Sequence, residues 1–285
     1  MTARRIAPLV LVLASGLAGH AAAQGVSGPE TVQVQSGALT LRGLLWRPAG
    51  NHRFPAILYN HGSGAQADPR RPEILGPVFA RHGYVFLYLF RRGAGLSANQ
   101  GTNSAALMNR AEAEKGQAGR NDVQLDLLQN IEINDVAAGL GFLRARPDVD
   151  PARIGAVGHS FGGSLTLVLA ERDPQLRCAV LFGAAAGSWD ASPKLQSRLL
   201  TAVRHSRTPV FFAYAANDFS IAPAKTLGAE MARRGVSHRV KIYPAIGKTA
   251  DEGHDFVHTA VSTWEADVFA FLDAHMRTGS AHGGA

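Results

Sequence analysis

Cysteine is nearly absent: Cys178 is the one cysteine in 285 residues. A single thiol forms no internal disulfide, so the core must hold the fold together. Cys178 stands in Cys-Ala-Val-Leu-Phe and reads as a small apolar packing group of a strand, not as a reactive thiol. Long apolar runs are missing too. The one near the start covers only residues 6–17, short of the ~20 that a membrane-spanning helix needs, and no later run is long enough. No integral span is therefore expected. The formal charge is +7, yet the arginines and lysines are scattered, with Arg91-Arg92 and Arg233-Arg234 only as pairs. Without a basic stripe interleaved with aromatics, nucleic-acid binding is not indicated. No internal repeat and no second domain boundary stand out.

The first residues read as a processing segment. Arg4 and Arg5 precede the short apolar run, and Ala21-Ala22-Ala23 follows it. A basic start, a short apolar stretch and small residues at the end make a secretory signal, cut near Ala23. The expectation is export to the periplasm or beyond the cell. The remaining 262 residues suit one α/β domain over 24–278 with a flexible tail from Gly279. A chain of this size buries roughly 75% of its unfolded surface.

Two β-rich stretches, 31–35 and 39–46, flank Ser36-Gly37 and predict an antiparallel hairpin. Further on, strands are expected at 56–60, 84–90, 154–157, 179–182, 209–215 and 239–243. Helices are expected at 74–82, 131–144, 164–170, 194–205, 222–234 and 256–275, with a loop over 244–255. The apolar run 84–90 reads as a strand covered on both faces. Such alternation predicts a mostly parallel central sheet with helices on both faces. Residues 98–130 are polar and carry Gly116 and Gly119. They read either as a surface excursion with partial helix or as a lid over a cleft.

The stretch Gly158-His159-Ser160-Phe161-Gly162-Gly163 sits between an apolar strand and an apolar helix. A turn that short cramps the middle residue and lifts its hydroxyl above the sheet edge, at a helix N-terminus. Ser160 is thus the candidate nucleophile. A neutral hydroxyl needs a base. His254, after the last strand, is favoured, with His258 as the fallback; His159 adjoins the serine but is expected to point away. The base needs a carboxylate to fix its tautomer. Asp218, at the end of the strand before, is favoured over Asp190. The tetrahedral intermediate needs two preplaced donors. The Phe161 N–H and the Ser63 N–H, in the glycine-flanked loop after strand 56–60, are the choice. His61 in that loop reads as a brace, and Tyr88, Trp189 and Phe219 are candidate pocket residues.

Tyr59-Asn60-His61-Gly62-Ser63-Gly64, Arg91-Arg92-Gly93-Ala94-Gly95-Leu96-Ser97, the Ser160 turn, Asn217-Asp218 and Gly253-His254-Asp255-Phe256 together resemble the α/β-hydrolase superfamily. Within it the sequence is similar to the dienelactone hydrolase-like and prolyl-oligopeptidase-like serine hydrolases, from about Leu39 to His275. The resemblance implies a Ser160–Asp218–His254 triad, an oxyanion hole at Ser63 and Phe161, and no metal or organic cofactor. True dienelactone hydrolases usually carry cysteine where Ser160 stands. That difference turns the expectation toward carboxylic esters of small molecules, cleaved through an acyl-enzyme. The alternatives are a small peptidase or amidase, an acyltransferase, or a noncatalytic binding protein of this fold.

Overall fold

The computed structural model describes residues 28–276. The expected signal at 1–23 and the tail from Gly279 lie outside the described residues. The strands are β1 (Glu30–Ser36), β2 (Leu39–Trp46), β3 (Phe54–Asn60), β4 (Val85–Phe90), β5 (Val149–His159), β6 (Ala179–Phe182), β7 (Val210–Ala215) and β8 (His238–Tyr243). They form one sheet in the order β1-β2-β4-β3-β5-β6-β7-β8. The first two pair as the expected antiparallel hairpin, and β2 pairs antiparallel with β4. From β4 through β8 every pairing is parallel.

Side-chain alternation explains how the sheet is covered. Val85, Leu87 and Leu89 of β4 join one apolar layer, while Phe86, Tyr88 and Phe90 join the other. All six are buried, so both faces must be roofed, as a continuous apolar run requires. On the aliphatic face lie α3 (Glu132–Ala145), α4 (Phe161–Arg172), α5 (Pro193–His205) and α6 (Ala222–Arg233). On the aromatic face lie α1 (Arg70–Arg81), α8 (Phe256–Thr259) and α9 (Val261–Met276). Trp46, Phe79, Phe86 and Trp264 fill that second layer. Cys178 packs there as well, and burial pushes its thiol up to about 12. It is a packing group, as its setting in the sequence suggested.

Three local expectations need correction. Residues 98–130 are more helical than expected. Here α2 (Ser104–Asp126) runs into a π-helical turn, Leu127–Ile131. Inside α2, Gly116 takes φ 65° and ψ −167°. Arg120 Nη1 donates to Asn109 Oδ1 at 2.7 Å and Glu112 Oε2 at 3.0 Å. Eleven residues of straight helix span about 16 Å, so the chain doubles back at Gly116 into a helical hairpin. Residues 244–255 were expected as a loop but contain α7 (Ala250–His254). The Thr249 hydroxyl accepts from the Glu252 N–H while Glu252 returns a bond to the Thr249 N–H, a capping box that nucleates the short helix. Finally, the expected helix over 256–275 is broken at Ala260 (φ −135°, ψ 48°), which separates α8 from α9.

Candidate active site

Ser160 occupies the one-residue junction between β5 and α4, at φ 56° and ψ −123°. A non-glycine residue there is strained, by about 1–3 kcal/mol, and survives because its surroundings dictate it. Two glycines permit the junction. A Cβ on Gly162 would sit 2.0 Å from the Asn60 carbonyl oxygen, and one on Gly158 2.4 Å from the Gly162 oxygen. The Ser160 N–H donates to the Phe182 carbonyl at 2.8 Å, which ties the turn to the neighbouring strand.

Asp218 follows β7 and His254 ends α7. The structure joins them directly: His254 Nδ1 lies 2.7 Å from Asp218 Oδ1. Since carboxylate oxygens only accept, Nδ1 carries the proton and Nε2 is left as a lone pair in the neutral ring. The Asp218 side chain is fully buried. Its Oδ1 also accepts from the Phe219 N–H at 2.7 Å, while Oδ2 has no partner among the described residues. Asp190, the alternative acid, is exposed.

Ser160 and His254 line one cleft of about 430 Å³, together with Gly62, Ser63, Arg71 and Asp255. Among the described residues no hydrogen bond joins the Ser160 hydroxyl to His254, whose ring bonds Asp218 and whose backbone carbonyl accepts from His159. Such bonds commonly tighten only when substrate binds. Ser63 lines this cleft, and Phe161 directly follows Ser160 at the start of α4. Neither backbone N–H has an acceptor among the described residues, so both are free to receive negative charge. A larger cavity, about 740 Å³, lies at the opposite ends of the strands, lined by Pro151, Arg177, Arg207 and His275 among others. Its hydroxyl, Thr208 Oγ1, donates to the Ala170 carbonyl, and both ring nitrogens of its histidine, His275, are engaged, with the Phe271 carbonyl and the Ser237 hydroxyl.

The family's sequence model settles the relationship: the dienelactone hydrolase family matches residues 41–275. The chain belongs to the dienelactone hydrolase family. Solved structures share its α/β-hydrolase fold at low identity. Acylaminoacyl peptidase from Pyrococcus horikoshii is 13% identical with a TM-score of 0.63; the match covers 90% of this chain and 43% of that one. The present chain thus spans less than half of that peptidase's length. An esterase from Pyrococcus furiosus is 15% identical with a TM-score of 0.62, covering 87% of this chain and 92% of that one. A dienelactone hydrolase from Anabaena variabilis is 18% identical with a TM-score of 0.60, covering 88% and 100%.

In this member of the family, the roles of two neighbours of the site escaped the sequence reading. Gly183 follows β6 with φ 54°, and a Cβ there would lie 2.7 Å from Asp218 Oδ2 and 2.9 Å from His254 Nδ1. Only a hydrogen fits between that turn and the Asp218–His254 pair. Phe182-Gly183 after a strand was the available signal, but many strands end in glycine. Asn217 is the other. Its amide donates to the Ile246 and Thr249 carbonyls and accepts from the Ile246 N–H, fastening the histidine-bearing segment to β7.

His159 does not simply point away. It is buried, its Nε2 donates to the His254 carbonyl at 2.9 Å, and burial holds its pKa well below 6.5. His159, Asp255 and His258 bring ligand-type atoms within 4.8 Å of one another. A metal ion would fit poorly among them. His258 already spends Nδ1 on Asp255 (2.9 Å) and Nε2 on the Tyr59 hydroxyl (3.2 Å). Asp255 is also ion-paired with Arg71 at 3.1 Å, whose charge opposes a cation. Of the three pocket candidates, Tyr88 and Trp189 are buried in the core. Phe219 is 47% exposed and meets the His254 ring edge-on, 5.1 Å between centroids.

Proposed function

We propose that the protein is a serine hydrolase that cleaves carboxylic ester bonds of small molecules. The observation that carries this reading is the 2.7 Å bond between His254 and a fully buried Asp218, in a cleft shared with the strained Ser160. Membership of a hydrolase family supports it.

Ser160 Oγ attacks the ester carbonyl carbon while His254 Nε2 takes the hydroxyl proton. Asp218 stabilises the resulting imidazolium through Nδ1–H. The oxyanion lies between the Phe161 and Ser63 N–H groups. The C–O bond to the leaving alcohol breaks, His254 gives the alcohol its proton, and the acyl group stays on Ser160. Water then attacks the acyl-enzyme, again losing its proton to His254, and the acid departs with the hydroxyl restored. We propose further that the leader-like residues 1–23 direct this activity to the periplasm or outside the cell.

A fluorophosphonate probe tests the nucleophile. It should label Ser160, and Ser160→Ala should abolish labelling; modification at another residue overturns the assignment. A panel of nitrophenyl esters and aminoacyl nitroanilides tests the bond class. Ester turnover with inert anilides is expected, and efficient anilide cleavage would make the protein a peptidase.

A further inference from the structure

The loop after β3 carries an arrangement that the acid–base chemistry does not use. Arg91, just past β4, is completely buried. Its Nε donates to Glu132 Oε2 at 2.6 Å, and both side chains are about 1% exposed. Its Nη2 donates to two carbonyls of the loop, His61 at 2.8 Å and Gly62 at 3.1 Å. The guanidinium also lies 5.9 Å from the ring centre of Phe161, the other expected oxyanion residue.

His61 closes a ring of bonds on the same spot. Its Nε2 lies 3.1 Å from the Arg91 backbone N–H. A backbone N–H only donates, so Nε2 is the lone-pair nitrogen and the neutral ring must carry its proton on Nδ1. That Nδ1 lies 2.7 Å from the Gly62 carbonyl oxygen and donates to it. Burial, reinforced by the Arg91 charge, keeps His61 well below 6.5 and hence neutral. The Gly62 oxygen therefore receives two donors, one of them charged.

The Gly62 carbonyl and the Ser63 N–H are the two ends of one planar peptide unit. Donors at the oxygen draw electron density from the nitrogen and make its N–H a stronger donor. They also fix the plane, which aims the N–H. The far side of Ser63 is clamped too: its carbonyl accepts from Ser104 Oγ at 3.1 Å and from the Ala105 N–H at 3.0 Å, at the start of α2.

We infer that Arg91 and His61 are positioning residues that orient and polarise the Gly62–Ser63 peptide so that its N–H is preorganised for the oxyanion, with Glu132 holding Arg91 in place. The inference rests on the hydrolase reading, and it assigns to the buried ion pair a task in the transition state in addition to its place in the core.

Its signature is a loss confined to the charged tetrahedral state. Removing a whole oxyanion donor costs about 100- to 1000-fold in kcat, so weakening one should cost about 10- to 100-fold. The variants are Arg91→Lys, which keeps the charge but loses the fork, His61→Leu, and His61→Asn, whose amide nitrogen can occupy the Nδ1 position. With a nitrophenyl ester, Arg91→Lys and His61→Leu should lower kcat by that amount while KM changes less than about threefold. Affinity for a trifluoromethyl ketone, which forms an oxyanion adduct with the serine, should fall in step with kcat/KM. His61→Asn should recover most of the loss. Folded variants that keep kcat and ketone affinity within threefold of wild type overturn the inference, as does a loss borne by KM alone. If Arg91→Lys does not fold, the two His61 variants decide it. Fluorophosphonate labelling of the wild type separates the layers. Labelling at Ser160 with unaffected variants removes only this inference; no labelling removes the hydrolase reading and this inference with it.

Discussion

The histidines of two histidine–aspartate pairs stand within five residues of one another, and the pairs are built for opposite ends. In the first, His254 bonds to Asp218, which arrives from the end of β7, thirty-six residues upstream. In the second, His258 bonds to Asp255, three residues back on the same chain. The acid of the first pair is fully buried and its imidazole is 15% exposed to the cleft; in the second, the imidazole is 3% exposed and the acid 28%. Asp255 is shared with Arg71, and the second nitrogen of His258 is capped by the Tyr59 hydroxyl. The first pair therefore leaves an imidazole nitrogen available to exchange a proton, while the second has spent every nitrogen on structure. A histidine beside a carboxylate is not by itself a base; the role proposed for His254 needs the open nitrogen and buried acid that the first pair has and the second lacks.

The strongest way to break the comparison is to neutralise each acid. Asp218→Asn should lower kcat/KM for a nitrophenyl ester by several thousand-fold, on the order of the 10⁴ seen in a comparable triad. Asp255→Asn should cost less than about tenfold. Equal losses would erase the distinction. A smaller effect probes the packing that sets the first pair. Gly183→Ala places a methyl group against both Asp218 and His254 in a backbone conformation alanine resists. A displacement of the order of an ångström should lower kcat about 100-fold, read beside circular dichroism to show that the fold persists. Full activity in that variant would mean the acid–base pair tolerates movement.

The smallest effect lies in the closed pair and appears in stability. Burial lowers the pKa of His258, His159 and His61 in the folded state. Below pH 6.5 the unfolded chain takes up protons at these rings while the folded chain resists, so the unfolded state binds more protons and stability falls as pH falls. Their contribution is complete above 6.5 and is lost toward their folded values. Carboxylates held low by arginine partners, such as Asp173 beside Arg144, keep their share until the pH approaches 3.8. The melting temperature should thus drop by a few degrees between about pH 7 and pH 5, and less so in His258→Gln. A melting temperature that rises over this interval would refute the assignment of neutral buried rings.

How legible all of this was depends on the range of the forces involved. The continuous apolar run 84–90, the hairpin around Ser36-Gly37 and the alternation of strands with helices are local patterns, and the sheet follows them. The Ser160 turn was equally legible, because a strand, a glycine pair and a helix must meet within a few residues. Residues 98–130 were less so. Their helices carry few apolar side chains, and Gly116 looks like a breaker but serves as the bend of a hairpin. The capping box of α7 was present as Thr249-x-x-Glu252 but lay in a stretch with no apolar periodicity to draw attention to it.

The sequence by itself determined the layered α/β sheet, the strained serine junction and the strand ends at which polar residues gather, since each depends on periodicity and local sterics. Tertiary structure alone decided which carboxylate reaches His254, that Gly183 must be bare beside them, and that Arg91, Glu132 and His61 converge on one peptide. Those outcomes depend on crossovers that bring residues tens of positions apart to within hydrogen-bond distance, where burial removes water and makes each partner count; no local pattern in the chain carries that information.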